Sequence, residues 1–369
     1  MTTRSQTKMN PRAAFIRFRK AALLAFLLGA CAIATARDKE KLVWNPTNLI
    51  GQNMPMGTKI GPKGEVWGFL NSPASSAPWS LVRSLDCGTS WSTVTVDVEP
   101  PVSGQSFVLD KEGCAWAYRA GGKGLSRFSP SGDLLTTTGL ITSYWDMYKL
   151  NLISSPDGFL YMMRKDELKR ISMQGEIRTT YPGLLEGEIC DLAVDSRGAL
   201  YAVAGSAYRS TDGGLTWDIL FQGHLEMPYW VISVVADRYI FIEGPWVFRS
   251  LDGGTTWEEL PHLEAGSMGR PVGLPDGSIA FSYRRLGLDP AERYGFFRSW
   301  DKGDTLQEFL PGIQKADFKA GAILRFDGSN IVYASIAFVE GKESQNGLYR
   351  MRFPAPPGPA SSDKDWPKY

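Results

Sequence analysis

A short pattern occurs four times in this chain and constrains its fold more than any other feature. Arg-Ser-x-Asp-x-Gly begins at Arg83, Arg209, Arg249 and Arg298, and a tryptophan ends the first three copies. Aspartate and serine side chains hydrogen-bond the backbone of tight turns, glycine adopts positive φ, and tryptophan packs between sheets. The pattern therefore predicts a hairpin turn that serves the architecture. The residues given this structural role are Ser84, Asp86, Gly88, Trp91, Ser210, Asp212, Gly214, Trp217, Ser250, Asp252, Gly254, Trp257, Ser299, Asp301 and Gly303.

Weaker copies of the same turn fill the remaining intervals. Two of them lie at 127–133 and 170–176, and a last partial copy spans 347–351. Together the copies recur every 38 to 52 residues, a period typical of repeat architectures. The markers for this spacing are Ser84, Ser129, Ser172, Ser210, Ser250, Ser299 and Met351. The chain therefore contains seven repeat units.

A second series of turns runs in phase with the first. Each consists of an apolar strand, a polar turn and another apolar strand, and the turns lie near Gly64, Gly113, Gly158, Gly198, Arg238, Gly277 and Gly328. Two hairpins per unit give four strands, which is the blade of a β-propeller. We predict an all-β, single seven-bladed propeller over 37–354, with six blades as the alternative. Residues 41–44 are expected to close the ring as the outer strand of the last blade.

The repeat motif resembles the Asp-box of the BNR/Asp-box superfamily, which includes sialidases, xyloglucan-degrading glycosidases, sortilin-type receptors and the photosystem II assembly factor family. The resemblance covers most of the chain after residue 36 and implies a β-propeller. It does not imply an activity, because enzymes and non-enzymes share these boxes. A sialidase would be expected to carry Arg-Ile-Pro in its first blade, yet no arginine lies between Arg37 and Arg83. The resemblance therefore indicates a non-sialidase member.

The N-terminal segment has the pattern of an export signal. Six basic residues and no acidic residue occupy the first twenty positions, and the apolar run AALLAFLLGACAIATA follows at 21–36. The sequence fits cleavage after Ala36, a lipobox that ends at Cys31, or an uncleaved membrane anchor. Each alternative predicts an exported protein that is periplasmic, attached to the outer membrane or secreted, and only an N-terminal lipid or anchor would contact a membrane.

Charge and the rare residue types exclude several function classes. Without the six N-terminal cations, the formal net charge of +1 becomes about −5, which argues against a nucleic acid partner. The only histidines are His224 and His262, and no Cys-x-x-Cys occurs, so we predict no metal and no cofactor.

The remaining cysteines and the C-terminal tail leave smaller questions. Cys87, Cys114 and Cys190 allow one disulfide at most, either between Cys87 and Cys114 or not at all. Residues 355–369 are rich in proline and serine and are predicted to form a flexible tail.

The candidate binding site lies on one face of the predicted propeller. Strands in a blade run alternately up and down, so both turn series emerge on one face, and the other connections emerge on the opposite face, which we call the loop face. Loops on a fixed scaffold often carry function, and these contain aromatic and charged side chains suited to stacking on a sugar or holding a peptide. The candidates are Arg119, Tyr144, Trp145, Arg164, Tyr229, Trp230, Trp246, Arg270 and Arg284.

These observations favour one function and leave one alternative. We expect a non-catalytic, monomeric propeller that presents its loop face to a protein or glycan partner in the bacterial envelope. The alternative is a glycoside hydrolase-like enzyme that uses the carboxylates of Asp146 and Glu243.

Overall fold

A computed structural model describes most of the predicted propeller. The described residues are 42–50, 56–61, 65–70, 79–86, 90–98, 107–119, 124–139, 151–164, 167–180, 189–225, 230–260, 268–284, 294–325 and 330–354. The chain divides into Met1–Val43 and Trp44–Tyr369, and every described strand belongs to the second unit. Within the described ranges, no helix has the length and hydropathy needed to cross a bilayer. The predicted signal segment and tail lie outside these ranges.

The described elements are 27 β-strands and two short 3-10 turns. The first nine strands are β1 (Asn45–Ile50), β2 (Met56–Ile60), β3 (Val66–Leu70), β4 (Trp79–Ser84), β5 (Ser92–Val98), β6 (Phe107–Leu109), β7 (Ala115–Tyr118), β8 (Leu125–Phe128) and β9 (Leu134–Thr137). The next nine are β10 (Asn151–Ser154), β11 (Leu160–Arg164), β12 (Glu167–Ile171), β13 (Ile177–Thr180), β14 (Asp191–Val194), β15 (Leu200–Ser210), β16 (Asp218–Leu225), β17 (Val231–Val235) and β18 (Tyr239–Glu243). The last nine are β19 (Val247–Ser250), β20 (Glu258–Glu259), β21 (Met268–Gly273), β22 (Ile279–Arg284), β23 (Tyr294–Ser299), β24 (Gln307–Glu308), β25 (Phe318–Arg325), β26 (Ile331–Phe338) and β27 (Gly347–Arg352).

These strands form seven separate antiparallel sheets, each built from strands that follow one another in the chain. Blades 1 to 3 are β2–β5, β6–β9 and β10–β13; blades 4 to 6 are β14–β16, β17–β20 and β21–β24; blade 7 combines β25–β27 with β1. The innermost strands β2, β6, β10, β14, β17, β21 and β25 each contact the next, and β25 contacts β2. This closed ring of seven sheets is a seven-bladed β-propeller, so the prediction of seven blades is confirmed.

Blade 4 has three assigned strands but the path of a four-stranded blade. The first part of β15 pairs with β14, and its second part pairs with β16. The Arg209 guanidinium lies 5.7 Å from the ring of Tyr201, eight residues earlier. A straight strand would separate these residues by about 26 Å. The chain therefore reverses near Gly205, whose φ of 68° suits a tight turn.

The hydrophobic core is distributed between the blades. Side chains alternate across a strand, so both faces of each inner sheet are apolar and pack against the neighbouring blades. Between blades 1 and 2, for example, Phe69 and Phe107 meet edge to face at 4.9 Å. Between blades 6 and 7, Phe296 and Phe318 make the same kind of contact at 5.0 Å. Because each interface needs both neighbours, the closed ring stabilises every blade.

The N-terminal part of the propeller closes the ring, as predicted, but with a different segment. The outer strand of blade 7 is β1, which pairs with β27 from Asn45 onward, so the assignment to residues 41–44 is wrong. Trp44 is instead buried, with its ring 5.9 Å from Phe296 and 6.0 Å from Phe309. The apolar residue thus packs into the core, and the polar residues after it form the edge strand.

The repeat motifs form the turns between the third and fourth strands of their blades. In blade 5 the Ser250 hydroxyl donates to Asp252 and accepts a bond from the Gly254 N–H. Asp252 also accepts bonds from the backbone N–H and the hydroxyl of Thr256, at 2.9 and 2.7 Å. The Trp257 indole donates to the Gly254 carbonyl and to a backbone carbonyl of blade 4. In this turn, every polar group of the motif satisfies a local backbone or side-chain partner.

The arginine that opens the motif joins one blade to the next. The Arg249 side chain is 2% exposed and donates to Glu258 in its own blade and to Asp304 in the repeat turn of blade 6. It also donates to the Lys302 carbonyl at 2.8 Å. The repeat face therefore carries ion pairs that hold neighbouring blades together.

Candidate functional site

A cavity of about 390 Å³ lies in the central channel of the propeller. Six of the seven innermost strands contribute to its wall, which exposes polar and apolar atoms in about equal measure. The lining residues with polar side chains are Lys59, Ser154, Ser233 and Arg270. A concave site with a few converging polar groups is typical of pockets that bind small molecules.

Three blades meet at a partly buried ion pair beside this cavity. Arg270, on β21, donates to Asp191 on β14 at 2.6 Å and to the Ile232 carbonyl on β17 at 2.8 Å. Asp191 in turn accepts the Ile232 N–H at 2.9 Å. Burial raises the pKa of Asp191, whereas Arg270 and the N–H bond favour its ionised form. The ion pair hydrogen-bonds the N–H and the carbonyl of Ile232 on β17, which are not used in strand pairing. It therefore links blades 4, 5 and 6.

Glu243 lies behind this pair and is buried on all sides. It ends β18, it is 3% exposed, and neither carboxyl oxygen has a hydrogen-bond partner among the described residues. Burial raises its pKa well above the usual value; Arg270 acts in the opposite direction, and Asp191 adds to the increase. The neighbouring Ser233 hydroxyl also acts to lower this pKa. Burial therefore favours the neutral, protonated form of Glu243.

Lys59 places a second cation in the channel. Burial is the main cause that lowers its pKa to about 8, and the like charge of Arg270 adds to this effect. No hydrogen bond or ion pair joins Lys59 to another residue of the described ranges. Its side chain retains some accessible surface because it borders the cavity. Among the residues that the structure describes, this ammonium group therefore has no counter-ion.

An exposed tryptophan stands on the loop face of blade 5. Trp246 lies in the β18–β19 turn, three residues after Glu243, and 54% of its surface is exposed. Its ring stacks on the buried Trp230 with centroids 6.3 Å apart and planes at 28°. The buried ring holds the outer one in a fixed orientation, which suits contact with a flat apolar surface.

The structure changes the roles of two predicted site residues. Glu243 was predicted as a loop-face carboxylate, but its oxygens have no accessible surface, so it cannot touch a substrate in this state. Trp230 was predicted to contact a ligand, but it is 1% exposed and supports Trp246 instead. Both lie at loop-face ends of strands, where a sequence pattern does not distinguish a rim position from a buried one.

Other predicted residues keep their place on the loop face. Arg119, Arg164 and Arg284 stand at the loop-face ends of the second strands of blades 2, 3 and 6, equivalent to Glu243 in blade 5. The side chains of Arg164 and Arg284 are not among those described. The remaining candidates lie outside the described residues; they are Tyr144, Trp145, Asp146 and Tyr229.

Sequence reasoning missed Lys59 and Asp191. A comparison of equivalent repeat positions would have found Lys59, because it stands two residues before the first turn of its blade. The same position holds Val108, Ile153 and Ala193 in blades 2 to 4. A charged residue where the repeat is otherwise small or apolar signals a function or a partner.

The site is suited to binding by charge and apolar contact. In the described part of the chain, no group of three or more His, Cys, Asp or Glu side chains could hold a metal ion. Cys114 is buried and Cys190 is half-buried, while Cys87 lies outside the described residues, so the disulfide remains a prediction.

The fold therefore defines the class of this protein as a seven-bladed β-propeller. No protein-family model matches the chain, and no curated protein matches its sequence. Among solved structures, virginiamycin B lyase from Staphylococcus aureus is similar, with a TM-score of 0.53, 14% identity and coverage of 84% of this chain and 98% of that one.

Two further solved structures are similar over the same region. YCF48 from Cyanidioschyzon merolae has a TM-score of 0.51 and 12% identity, with 85% of this chain and 99% of that chain covered. The extracellular domain of BT4673 from B. thetaiotaomicron, described as a hybrid two component system, has a TM-score of 0.55 and 10% identity, with 85% and 40% covered. At these identities the likeness shows the fold alone.

Proposed function

We propose that this protein is an exported, non-catalytic, monomeric propeller that binds a protein or glycan partner at the loop face of blades 4 to 6. The observation that carries the proposal is the exposed Trp246, held by the buried Trp230 on the loop face of a propeller whose channel contains the Arg270–Asp191 ion pair and Lys59. Large aromatic side chains with rigid support are typical centres of binding surfaces. Membership of the Asp-box superfamily, outside its sialidases, is part of the proposal.

Two exposed tryptophans on opposite faces give a matched test. Trp246 is 54% exposed on the loop face, and Trp300 is 45% exposed in the repeat turn of blade 6. Binding of soluble oligosaccharides and envelope peptides would be followed by tryptophan fluorescence. For whichever oligosaccharide or peptide binds, Trp246→Ala should lower the affinity by about 30-fold, which corresponds to the loss of a 2 kcal/mol contact. Trp300→Ala should leave that affinity unchanged. Equal affinities for the two variants would contradict a site on the loop face.

An enzyme remains the second candidate, because a protonated carboxyl such as that of Glu243 is what a general acid requires. Its complete burial speaks against this role. Turnover of a glycan substrate that Glu243→Gln or Asp146→Asn abolishes would replace the binding proposal with an enzymatic one.

Export is tested separately by the intact mass of the mature protein, which distinguishes an acylated start at Cys31 from a start at Arg37.

A further inference from the structure

Both described ends of the propeller lie in blade 7 on the repeat face, the face that carries the repeat turns. The third strand of this blade, β27, runs towards the repeat face, and the Phe353 N–H after it donates to the Asn330 carbonyl just before β26. The strand β1 begins beside the end of β27, since Asn45 pairs with Arg350. In blades 5 and 6 a repeat turn joins the corresponding strands. In blade 7 the chain instead enters at Trp44 and leaves after Phe353.

The residues before Trp44 tie this point to a membrane in two of the three export alternatives. A lipid on Cys31 or an uncleaved anchor at 21–36 would hold the chain at a bilayer. Only residues 32–43 separate Cys31 from Trp44, and these 12 residues span at most about 45 Å. A surface held this close meets the bilayer at a high effective concentration, so weak contacts are sufficient to dock it.

Two exposed apolar side chains flank the place where the chain enters. Leu85 in blade 1 and Trp300 in blade 6 are 71% and 45% exposed. Both occupy the same position in the repeat turn, between its serine and its aspartate. Their blades are the two neighbours of blade 7 in the ring. A single exposed leucine needs no explanation, but apolar side chains on both sides of an attachment point form a surface suited to lipid.

Trp300 rests on a fixed support beside the chain ends. Its ring lies over the guanidinium of Arg298, at 4.1 Å. The same guanidinium lies 5.2 Å from the ring of Phe309 and 5.6 Å from that of Phe353. Arg298 is 5% exposed and donates to the Ser278 hydroxyl, so its position is fixed. A tryptophan with an apolar body and a polar N–H is typical of the interface between lipid and water.

The charge of this surface indicates which lipid it suits. Asp86 follows Leu85, Asp301 follows Trp300, and both aspartates are exposed. Carboxylates at such positions are ionised at neutral pH. They would be repelled by anionic headgroups, so the surface favours zwitterionic lipid.

We propose that the repeat face of blades 6, 7 and 1 docks on the zwitterionic surface of the bilayer that holds the N-terminal segment, with the side chains of Trp300 and Leu85 in contact with lipid. This orientation turns the loop face away from the bilayer and towards a partner in the envelope. The inference goes beyond the proposed function, which concerns the opposite face.

Quenching by brominated lipid tests the proposal on the full-length chain, reconstituted in phosphatidylcholine vesicles. Residues 1–43 contain no tryptophan, and a Trp366→Phe background removes the one in the tail. Brominated phosphatidylcholine should quench the emission of this chain, and Trp300→Phe should remove most of the quenching. Trp246→Phe, at a 54% exposed site on the loop face, should leave it unchanged. Added phosphatidylglycerol should not increase it.

Two leucines of similar exposure on the repeat face provide a matched control. Leu85 flanks blade 7, whereas Leu215 lies in the repeat turn of blade 4, and they are 71% and 67% exposed. Leu85→Ser should lower the ratio of docked to undocked chain, measured by the quenched fraction, by about tenfold, the value for removing one leucine from an apolar environment. Leu215→Ser should change this ratio by less than about twofold.

Three results would overturn the proposal. The first is quenching that persists in Trp300→Phe or that Trp246→Phe removes, and the second is an equal effect of Leu85→Ser and Leu215→Ser. The third is a mature chain that begins at Arg37, because the attachment on which the inference depends would then be absent. Partner binding at Trp246 is measured without vesicles, so a failure of the docking inference leaves the proposed function standing.

Discussion

Replacing Lys59 with methionine should make the protein more stable. The channel lowers the pKa of Lys59 from 10.5 to about 8, chiefly through burial and secondarily through Arg270. A tenfold change in an acid constant corresponds to about 1.4 kcal/mol, so the charged form costs the folded state roughly 3 kcal/mol at neutral pH. Methionine has a similar length and no charge. For a domain of about 310 residues, a gain of this size raises Tm by roughly 4 to 5 °C.

The gain should depend on pH in a direction that the pKa shift fixes. Below pH 8 Lys59 is charged in both the folded and the unfolded state, so the full cost is present. Between pH 8 and 10.5 the folded protein releases the proton while the unfolded chain keeps it, so wild-type stability rises with pH. Above pH 10.5 the cost is absent, and the variant loses its advantage. Other charged groups on or beside the channel strands include Glu65, Asp110, Asp191, Asp195, Glu243, Arg270 and Lys319.

Urea denaturation of both proteins at pH 7 and at pH 10.5 measures this effect, since the difference between them cancels every other titrating group. Lys319→Met, at an exposed site, should change the free energy of unfolding by less than about 0.5 kcal/mol at either pH. A Lys59→Met variant that is less stable than the wild type at pH 7, or whose gain is the same at both pH values, would refute the reasoning.

Three further predictions concern the blades. Arg249→Met should lower the free energy of unfolding by about 2 kcal/mol in urea denaturation, because backbone carbonyls lose a buried donor, while its half-exposed acidic partners regain water. Arg197→Met, at a 63% exposed site, should cost less than about 1 kcal/mol. Hydrogen bonds from the backbone and hydroxyl of Thr256 lower the pKa of Asp252 to about 2. Asp252→Asn should therefore be less stable than the wild type above pH 4, and acid denaturation should show the difference in stability shrinking as the pH falls from 4 towards 2. Glu243→Gln should be more stable than the wild type at pH 7, and this advantage should disappear as the pH falls below 4.5, where Glu243 becomes protonated in the unfolded chain as well.

The repeat spacing was sufficient to predict the blades, because it reports a local property of each hairpin. Turns that need positive φ fall at regular positions, for example Gly158 and Gly198 with φ of 88° and 86°. The closing strand was misplaced by a few residues because an apolar cluster around Trp44 resembles a strand, while Trp44 itself packs into the core. Such a segment can either be buried in the core or pair as a strand, and contacts with the neighbouring blade determine which of the two occurs.

The candidate site was predicted only in part. Arg270 and Trp246 were predicted as loop-face candidates, but Asp191 and Lys59 were not, because each is a single charged residue in an otherwise ordinary strand. The cluster joins residues from blades 1, 4, 5 and 6, which are up to 211 positions apart in the chain between Lys59 and Arg270. Closure of the ring, and not any local pattern, brings these groups together.

The most direct measurement of the central claim is an NMR titration of the lysine side chains in selectively labelled protein. One lysine signal, absent from Lys59→Met, should titrate near pH 8. Lysine signals that all titrate above pH 10 would contradict a buried cation in the channel.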